Sequence, residues 1–186
     1  MCWFPSVTAG TVTHDSIHKI TLSNATVTHW PVNDRPIGLS LTCTHSVLVT
    51  CNLVRRIKEF STDGQLLHVL TLPHDVVSPW HTVQLSSGQF IACHGFSADP
   101  LHRVCLIGSN GSVLKLFGGP QGSDRQHFNT LNRIAVVRNE FIFVADMNNY
   151  RVSFKLCRAY VMLYHVNSLN NLTCSASCLH MPGKIH

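Results

Sequence analysis

The sequence predicts an all-β chain: a partial β-propeller of about three to four four-stranded antiparallel blades, ending in an irregular C-terminal tail. Three observations predict it. A cassette of short β-rich runs recurs, with Pro36 and Pro79 43 residues apart and Arg56, Arg103 and Arg151 spaced by 47 and 48. None of these runs carries an apolar pattern of helical period. The dipeptides Asp63-Gly64 and Asn110-Gly111 stand between the third and fourth runs of successive cassettes, where tight hairpins need positive φ. Four short strands in every 40–50 residues or so is the period of a propeller blade.

Taken in order, residues 1–30 form a half-blade whose visible strand is Lys19-Ile20-Thr21-Leu22, 37 residues ahead of Arg56-Ile57. A blade over about 31–73 holds Pro36-Ile-Gly-Leu-Ser-Leu, Ser46-Val-Leu-Val-Thr, Arg56-Ile-Lys-Glu-Phe60 and Leu66-Leu-His-Val-Leu70. The next, about 74–120, holds Pro79-Trp-His-Thr-Val-Gln-Leu85, Gln89-Phe-Ile-Ala92, Arg103-Val-Cys-Leu-Ile107 and Val113-Leu-Lys-Leu-Phe117. The last, 121–157, holds Leu131-Asn-Arg-Ile-Ala-Val-Val137, Phe141-Ile-Phe-Val-Ala-Asp146 and Asn149-Tyr-Arg-Val-Ser-Phe154. From 158 to 186 the pattern lapses, leaving one degenerate strand at Tyr160 to Val166 and a loose tail.

Composition agrees with a folded core. Of 186 residues, 45% are hydrophobic and 12% charged, the reverse of a disordered chain. The formal net charge of +5 permits an acidic partner without demanding one. Eight cysteines are too sparse for a disulfide framework and form no paired CxxC knuckles. Cys43, Cys51, Cys93 and Cys105 lie in or beside apolar runs, where a thiol behaves as a small hydrophobe. Met1-Cys2-Trp3-Phe4-Pro5 has neither the basic lead nor the apolar stretch of a signal peptide. These features together give a cytoplasmic expectation, under which the sequons at Asn24, Asn110 and Asn171 stay unmodified. No run of about 18 apolar residues occurs, so no membrane span is expected.

Arg133-Ile-Ala-Val-Val, Phe141-Ile-Phe-Val-Ala-Asp146 and Asn148-Asn149-Tyr-Arg151-Val resemble the NHL repeat, whose strands read Pro-x-Gly-Ile-Ala-Val, Ile-Tyr-Val-Ala-Asp and Asn-x-Arg-Ile/Val. Gly111-Ser-Val-Leu-Lys-Leu-Phe-Gly118 resembles the outer strand of the same repeat. The resemblance covers about Pro36 to Lys155, and departs from the pattern at Leu131 for Pro and Arg133 for Gly. It implies repeat positions at Pro36, Pro79, Arg56, Arg103, Asp146, Asn149 and Arg151. Among them, Asp146 is expected to accept hydrogen bonds that fix the turn before Arg151. It also implies a non-catalytic module like the substrate- or RNA-binding propeller of tripartite-motif NHL proteins. Such proteins attach to ubiquitin-ligase machinery, and this chain has no RING or B-box spacing.

Chemistry-bearing motifs are otherwise lacking. There is no Gly-x-Ser-x-Gly elbow and no glycine-rich phosphate loop. Cys174, Cys178 and His180 have no second pair with which to close a tetrahedral zinc site. No catalytic residue, metal ligand or cofactor is therefore expected. The alternative is a metal-dependent lyase similar to the propeller that completes peptide amidation, with His81, His94 and His102 as its ligands.

In a four-strand meander the blade linkers and the loops between second and third strands share one end. Arg35, Arg55, His81, His94, His102, Arg125, His127 and Arg133 are assigned to it, with acids at Asp34, Asp75, Asp99, Asp124 and Asp146. The opposite end carries Thr44-His45, Asp63-Gly64, Ser86-Ser87-Gly88, Asn110-Gly111 and Arg138-Asn139-Glu140, and is nearly neutral. The predicted binding residues are therefore Arg35, Arg55, His94, His102, Arg125, His127 and Arg133, facing a protein or an RNA backbone. The longer loop from Gly95 to His102 is the expected specificity element. Open blade edges are a second expected contact, for self-association.

Overall fold

The computed structural model describes residues 2–5, 15–137 and 141–156. Its strands form four separate antiparallel meanders, each in sequence order. Blade 1 is β1 (Cys2–Pro5), β2 (Ser16–Thr21) and β3 (Thr26–Pro31). Blade 2 is β4 (Pro36–Leu41), β5 (Val47–Cys51), β6 (Arg56–Phe60) and β7 (Leu66–Thr71). Blade 3 is β8 (Pro79–Gln84), β9 (Phe90–His94), β10 (His102–Ile107) and β11 (Val113–Gly119). Blade 4 is β12 (Leu131–Val137), β13 (Phe141–Asp146) and β14 (Arg151–Leu156). One 3-10 turn, Met147–Asn149, is the helical element among the described residues.

The first strands β4, β8 and β12 contact one another in succession, which makes them the inner strands of a fan. The second strand of each blade touches the inner strand of the next: β5 meets β8 and β9 meets β12. β1 meets β4 in the same way, so blade 1 consists of second, third and outer strands. Its outer strand β3 repeats the burial of β7, exposed but for the fifth residue.

Burial explains the sequence pattern. β5 and β9 are buried at every position, because blades cover both of their faces, and such strands read as unbroken apolar runs. Alternate residues serve opposite neighbours. Val47, Val49 and Cys51 join Ile17, Trp30 and Phe60 between blades 1 and 2. Leu48 joins Leu70, Phe90, Cys105 and Ile107 between blades 2 and 3. Ile91 and Cys93 join Phe128, Leu131, Ile142 and Val144 between blades 3 and 4. Truncating a leucine or isoleucine there to alanine costs about 2–5 kcal/mol.

The hairpin glycines lock neighbouring blades together. Gly64 and Gly111 have φ of 88° and 87°. A Cβ on Gly64 would come within 2.8 Å of the Trp30 ring, and one on Gly111 within 2.9 Å of the Thr71 carbonyl. Positive φ and lack of space both demand glycine here. The Arg138-Asn139-Glu140 turn, the strand expected at Tyr160 to Val166, and Cys174, Cys178 and His180 lie outside the described residues.

Candidate binding face

The register places the arginines of the repeat alike. Arg56 pairs with Cys51, Arg103 with His94 and Arg151 with Asp146, each across the second and third strands. Pro36, Pro79 and Leu131 pair with those same three partners from the inner strand. A common backbone position thus carries three different chemistries.

In blade 4 it carries a buried ion pair. Arg151 Nε donates to Asp146 Oδ2 at 2.8 Å, Asn149 Nδ2 donates to the same oxygen at 2.9 Å, and the Asn129 N–H donates to Oδ1 at 2.7 Å. The rest of the Arg151 guanidinium donates to the carbonyls of Ser123, Asp124 and His127 at 2.8, 2.8 and 2.6 Å. Asn149 Nδ2 also reaches the Gly122 carbonyl at 2.9 Å. A fully buried carboxylate and guanidinium are therefore each satisfied by the linker from blade 3, which they clamp. Tyr150 takes the left-handed conformation that closes the turn between them.

In blade 2 the carboxylate comes instead from the linker. Lys58 Nζ lies 2.6 Å from Asp34 Oδ2 and donates to the Val32 carbonyl at 2.6 Å, while Arg56 stands 3.9 Å from the same Asp34 oxygen. Cys51, where blade 4 has its aspartate, is a buried thiol. Its pKa is pushed up to about 12 by burial, against the opposing charge of Lys58. Burial does the same to Cys93 and Cys105. Cys43, by contrast, is exposed, a correction to its reading as a packed thiol.

The histidines also require correction. His94 and His102 are fully buried and present nothing to a partner in solution. Their strands end beneath the loop from Gly95 to His102, so the rings point between blades. His102 Nδ1 accepts the Thr130 N–H at 2.8 Å, and Nε2 donates to the Asp99 carbonyl at 3.0 Å. His81 lies on an inner strand rather than in a loop. Its Nε2 donates to the Leu39 carbonyl on β4 at 3.0 Å, and Nδ1 accepts the Ile134 N–H of β12 at 3.3 Å. One imidazole thus bridges the inner strands of the blades on either side. Burial pushes its pKa down to about 4, helped by Arg133 and opposed by the Leu39 bond. His94 is likewise pushed down to about 4, first by burial and then by Arg103. A contact with the Val77 backbone opposes this but falls short of hydrogen-bond geometry, leaving both ring nitrogens and Arg103 Nε without bonds. His81, His94 and His102 do not form a metal-ligating cluster, and none occurs among the described residues.

What remains exposed defines the face. Arg35, Arg55 and Arg125 are exposed and Arg133 is half-buried. None of the four has an ion pair among the described residues, whereas Asp34, Asp124 and Asp146 each have one. Asp124 caps its own turn, accepting from the Gln126 and His127 amides at 2.8 and 3.0 Å and contacting His127 Nδ1 at 2.8 Å. Those bonds hold its carboxyl below the usual range and leave His127 already paired. Arg133 folds back, donating from Nη1 to the Asn132 carbonyl at 2.9 Å and its side-chain oxygen at 2.8 Å.

The sequence places Tyr150 and Trp80 near this face as stacking residues, but not its other apolar side chains. The three loops between second and third strands expose Leu53 and Val54 in blade 2, Phe96 in blade 3, and Met147 and Tyr150 in blade 4. Tyr150 is 83% exposed. Phe96 stacks obliquely on Trp80, ring centroids 4.5 Å apart, and the Asp99 carboxylate holds its amide at 2.7 Å. The signal was present in the sequence as apolar residues in loops that carry no strand pattern.

Solved structures with the same arrangement include a streptogramin B lyase (TM-score 0.60, 13% identity, 84% of this chain and 49% of that one). Another is virginiamycin B lyase from Staphylococcus aureus (0.61, 13%, 84% and 50%). A third is hydrazine synthase from Kuenenia stuttgartiensis (0.55, 14%, 70% and 37%). This is an arc of a β-propeller. At such identities the likeness concerns the fold, and the arc spans about half the length of the lyases it matches. No family model and no curated protein matches the sequence.

Proposed function

We propose that the arc is a non-catalytic interaction module, whose linker face docks an acidic protein segment bearing apolar side chains. The observation that carries this reading is the row of Leu53, Val54, Phe96, Met147 and Tyr150 on the loops beside Arg35, Arg55 and Arg125. Aromatic, methionine and arginine side chains are the residues that interfaces concentrate, and here a rigid sheet framework presents them on loops. Uncompensated arginines select for carboxylates, and exposed aliphatics gain from burial against apolar side chains. The resemblance to tripartite-motif NHL proteins makes substrate docking for ubiquitin-ligase machinery the fitting role. It would be exercised through a longer protein or a partner, and buried unpaired thiols suit the cytoplasm. A lyase using His81 and His102 as ligands would first have to break one backbone hydrogen bond on each ring.

The test is fluorescence anisotropy with two probes of equal charge, a Glu/Leu peptide and a single-stranded RNA. The peptide is expected to bind, and Arg55→Ala with Tyr150→Ala to weaken it about tenfold or more, as loss of a central anchor does. RNA binding with a steep salt slope and no peptide binding would replace the protein partner by nucleic acid. Binding of neither probe would refute the docking role.

A further inference from the structure

We infer that blade 3 binds a small monovalent anion, of the chloride or formate class, between the His94 ring and the Arg103 guanidinium. The inference stands on the register position that the blades share. In blade 4 three N–H donors, from Arg151, Asn149 and the Asn129 backbone, converge on the Asp146 carboxylate. In blade 2 the linker supplies Asp34 to Lys58 and Arg56. Both positions therefore join a cation to an anion from the chain itself. Blade 3 keeps the cation, Arg103, but its partner across the strands is His94, which brings no negative charge.

The donors left over in blade 3 are buried. His94 is 0% exposed, and neither of its ring nitrogens nor Arg103 Nε has a hydrogen-bond partner. Arg103 forms no ion pair among the described residues. A buried donor without an acceptor is costly, and more so on a charged group. Burial and the Arg103 charge keep the imidazole neutral, so it carries one N–H and one lone pair. With Arg103 Nε–H, that makes two donors on adjacent strands for one acceptor. The guanidinium charge repels a metal cation and is balanced by a single negative charge.

The nearby carboxylates do not fill this role. Asp99 accepts the Phe96 amide at 2.7 Å. Asp75 is close enough for its charge to act on His94, yet it pairs with no cation among the described residues. Linker length sets the access. The linker 120–130 brings the Ser123, Asp124 and His127 carbonyls onto Arg151 and closes over it. The shorter linker 72–78 leaves Arg103 half-buried. A single ion therefore reaches the site past the guanidinium, although His94 itself is closed to a protein surface. The site is separate from Arg35, Arg55 and Arg125 and does not depend on the docking role proposed for them.

The chloride NMR line width in solutions of the full chain, at fixed ionic strength, tests the inference. The expected result is an excess broadening that added formate reverses. Arg103→Gln and His94→Asp, each checked for a retained β-sheet circular dichroism spectrum, are each expected to lose it. The first removes the cation, and the second supplies a carboxylate from within the fold. Arg56→Ala is expected to keep the broadening, because Asp34 and Lys58 already neutralise one another in blade 2. Should Arg103→Gln lose its β spectrum, urea unfolding gives a second reading. The midpoint of the unaltered chain is expected to rise with chloride at constant ionic strength, as for any ligand of the folded state, and that of His94→Asp is not. Broadening that survives both substitutions overturns the inference. So does an unaltered chain whose line width and midpoint ignore chloride; loss of stability in Asp75→Asn would then assign Arg103 to Asp75 instead.

Discussion

Replacing Asp146 by alanine removes the one carboxylate that compensates Arg151. The guanidinium would remain buried, still bonded to three linker carbonyls but with no counter-charge, and the Asn129 amide and Asn149 side chain would lose their acceptor. Breaking a buried pair from one side costs about 3–5 kcal/mol, a large share of the roughly 5–15 kcal/mol that holds a domain together. Arg56→Ala removes the residue in the same register position of blade 2. There the arginine side chain is 46% exposed and stands 3.9 Å from an aspartate that Lys58 already neutralises, so the expected cost is about 0.2–1 kcal/mol. Urea unfolding followed by circular dichroism measures both, with the change in midpoint interpreted at constant slope. The double variant lacking both Asp146 and Arg151 should be less damaged than the sum of the singles, because neither leaves the other buried alone. Equal losses for Asp146→Ala and Arg56→Ala, or an Asp146 effect under about 1 kcal/mol, would refute the reasoning.

Two other predictions concern the buried histidines. His94→Asp places a carboxylate opposite Arg103, whose Nε has no hydrogen bond; recreating the blade 4 pair should raise the stability of the fold by about 1 kcal/mol, read as a higher urea midpoint, and a lower midpoint would count against the equivalence. His81 and His94 both have pKa values pushed down to about 4, against about 6.5 in the unfolded chain. The unfolded state therefore binds more protons between those values, so stability should be full above about pH 6.5 and fall as pH drops towards 4. His81→Gln should flatten that slope in unfolding curves taken from pH 7 to 4.

The sequence showed the blades well and the exposed face poorly, for identifiable reasons. Asp63-Gly64 and Asn110-Gly111 announced their turns because few other residues accept φ near +90°. The buried second strands announced themselves as unbroken apolar runs. The outer strand of blade 1 did not. Thr26–Pro31 has the same burial as Leu66–Thr71, but it carries Val27 and Trp30 among polar residues where the blade 2 strand carries Leu66, Leu67, Val69 and Leu70. Asp146 and Arg151 were legible as a turn-fixing pair, but the clamp on Ser123, Asp124 and His127 depends on contacts some 25 residues away in sequence. The histidines were the largest error. Their positions next to loops suggested a surface role, whereas His81, His94 and His102 lie inside blade interfaces, where tertiary packing rather than local sequence sets exposure.

The central claim is that Cys51–Arg56, His94–Arg103 and Asp146–Arg151 are the same cross-strand step in three successive sheets. Backbone nuclear Overhauser contacts on isotopically labelled chain test it most directly. The account predicts interstrand contacts between the members of all three pairs, in one antiparallel pattern. Absence of any one pair, or the sequential contacts of a helix at any of these arginines, would contradict it.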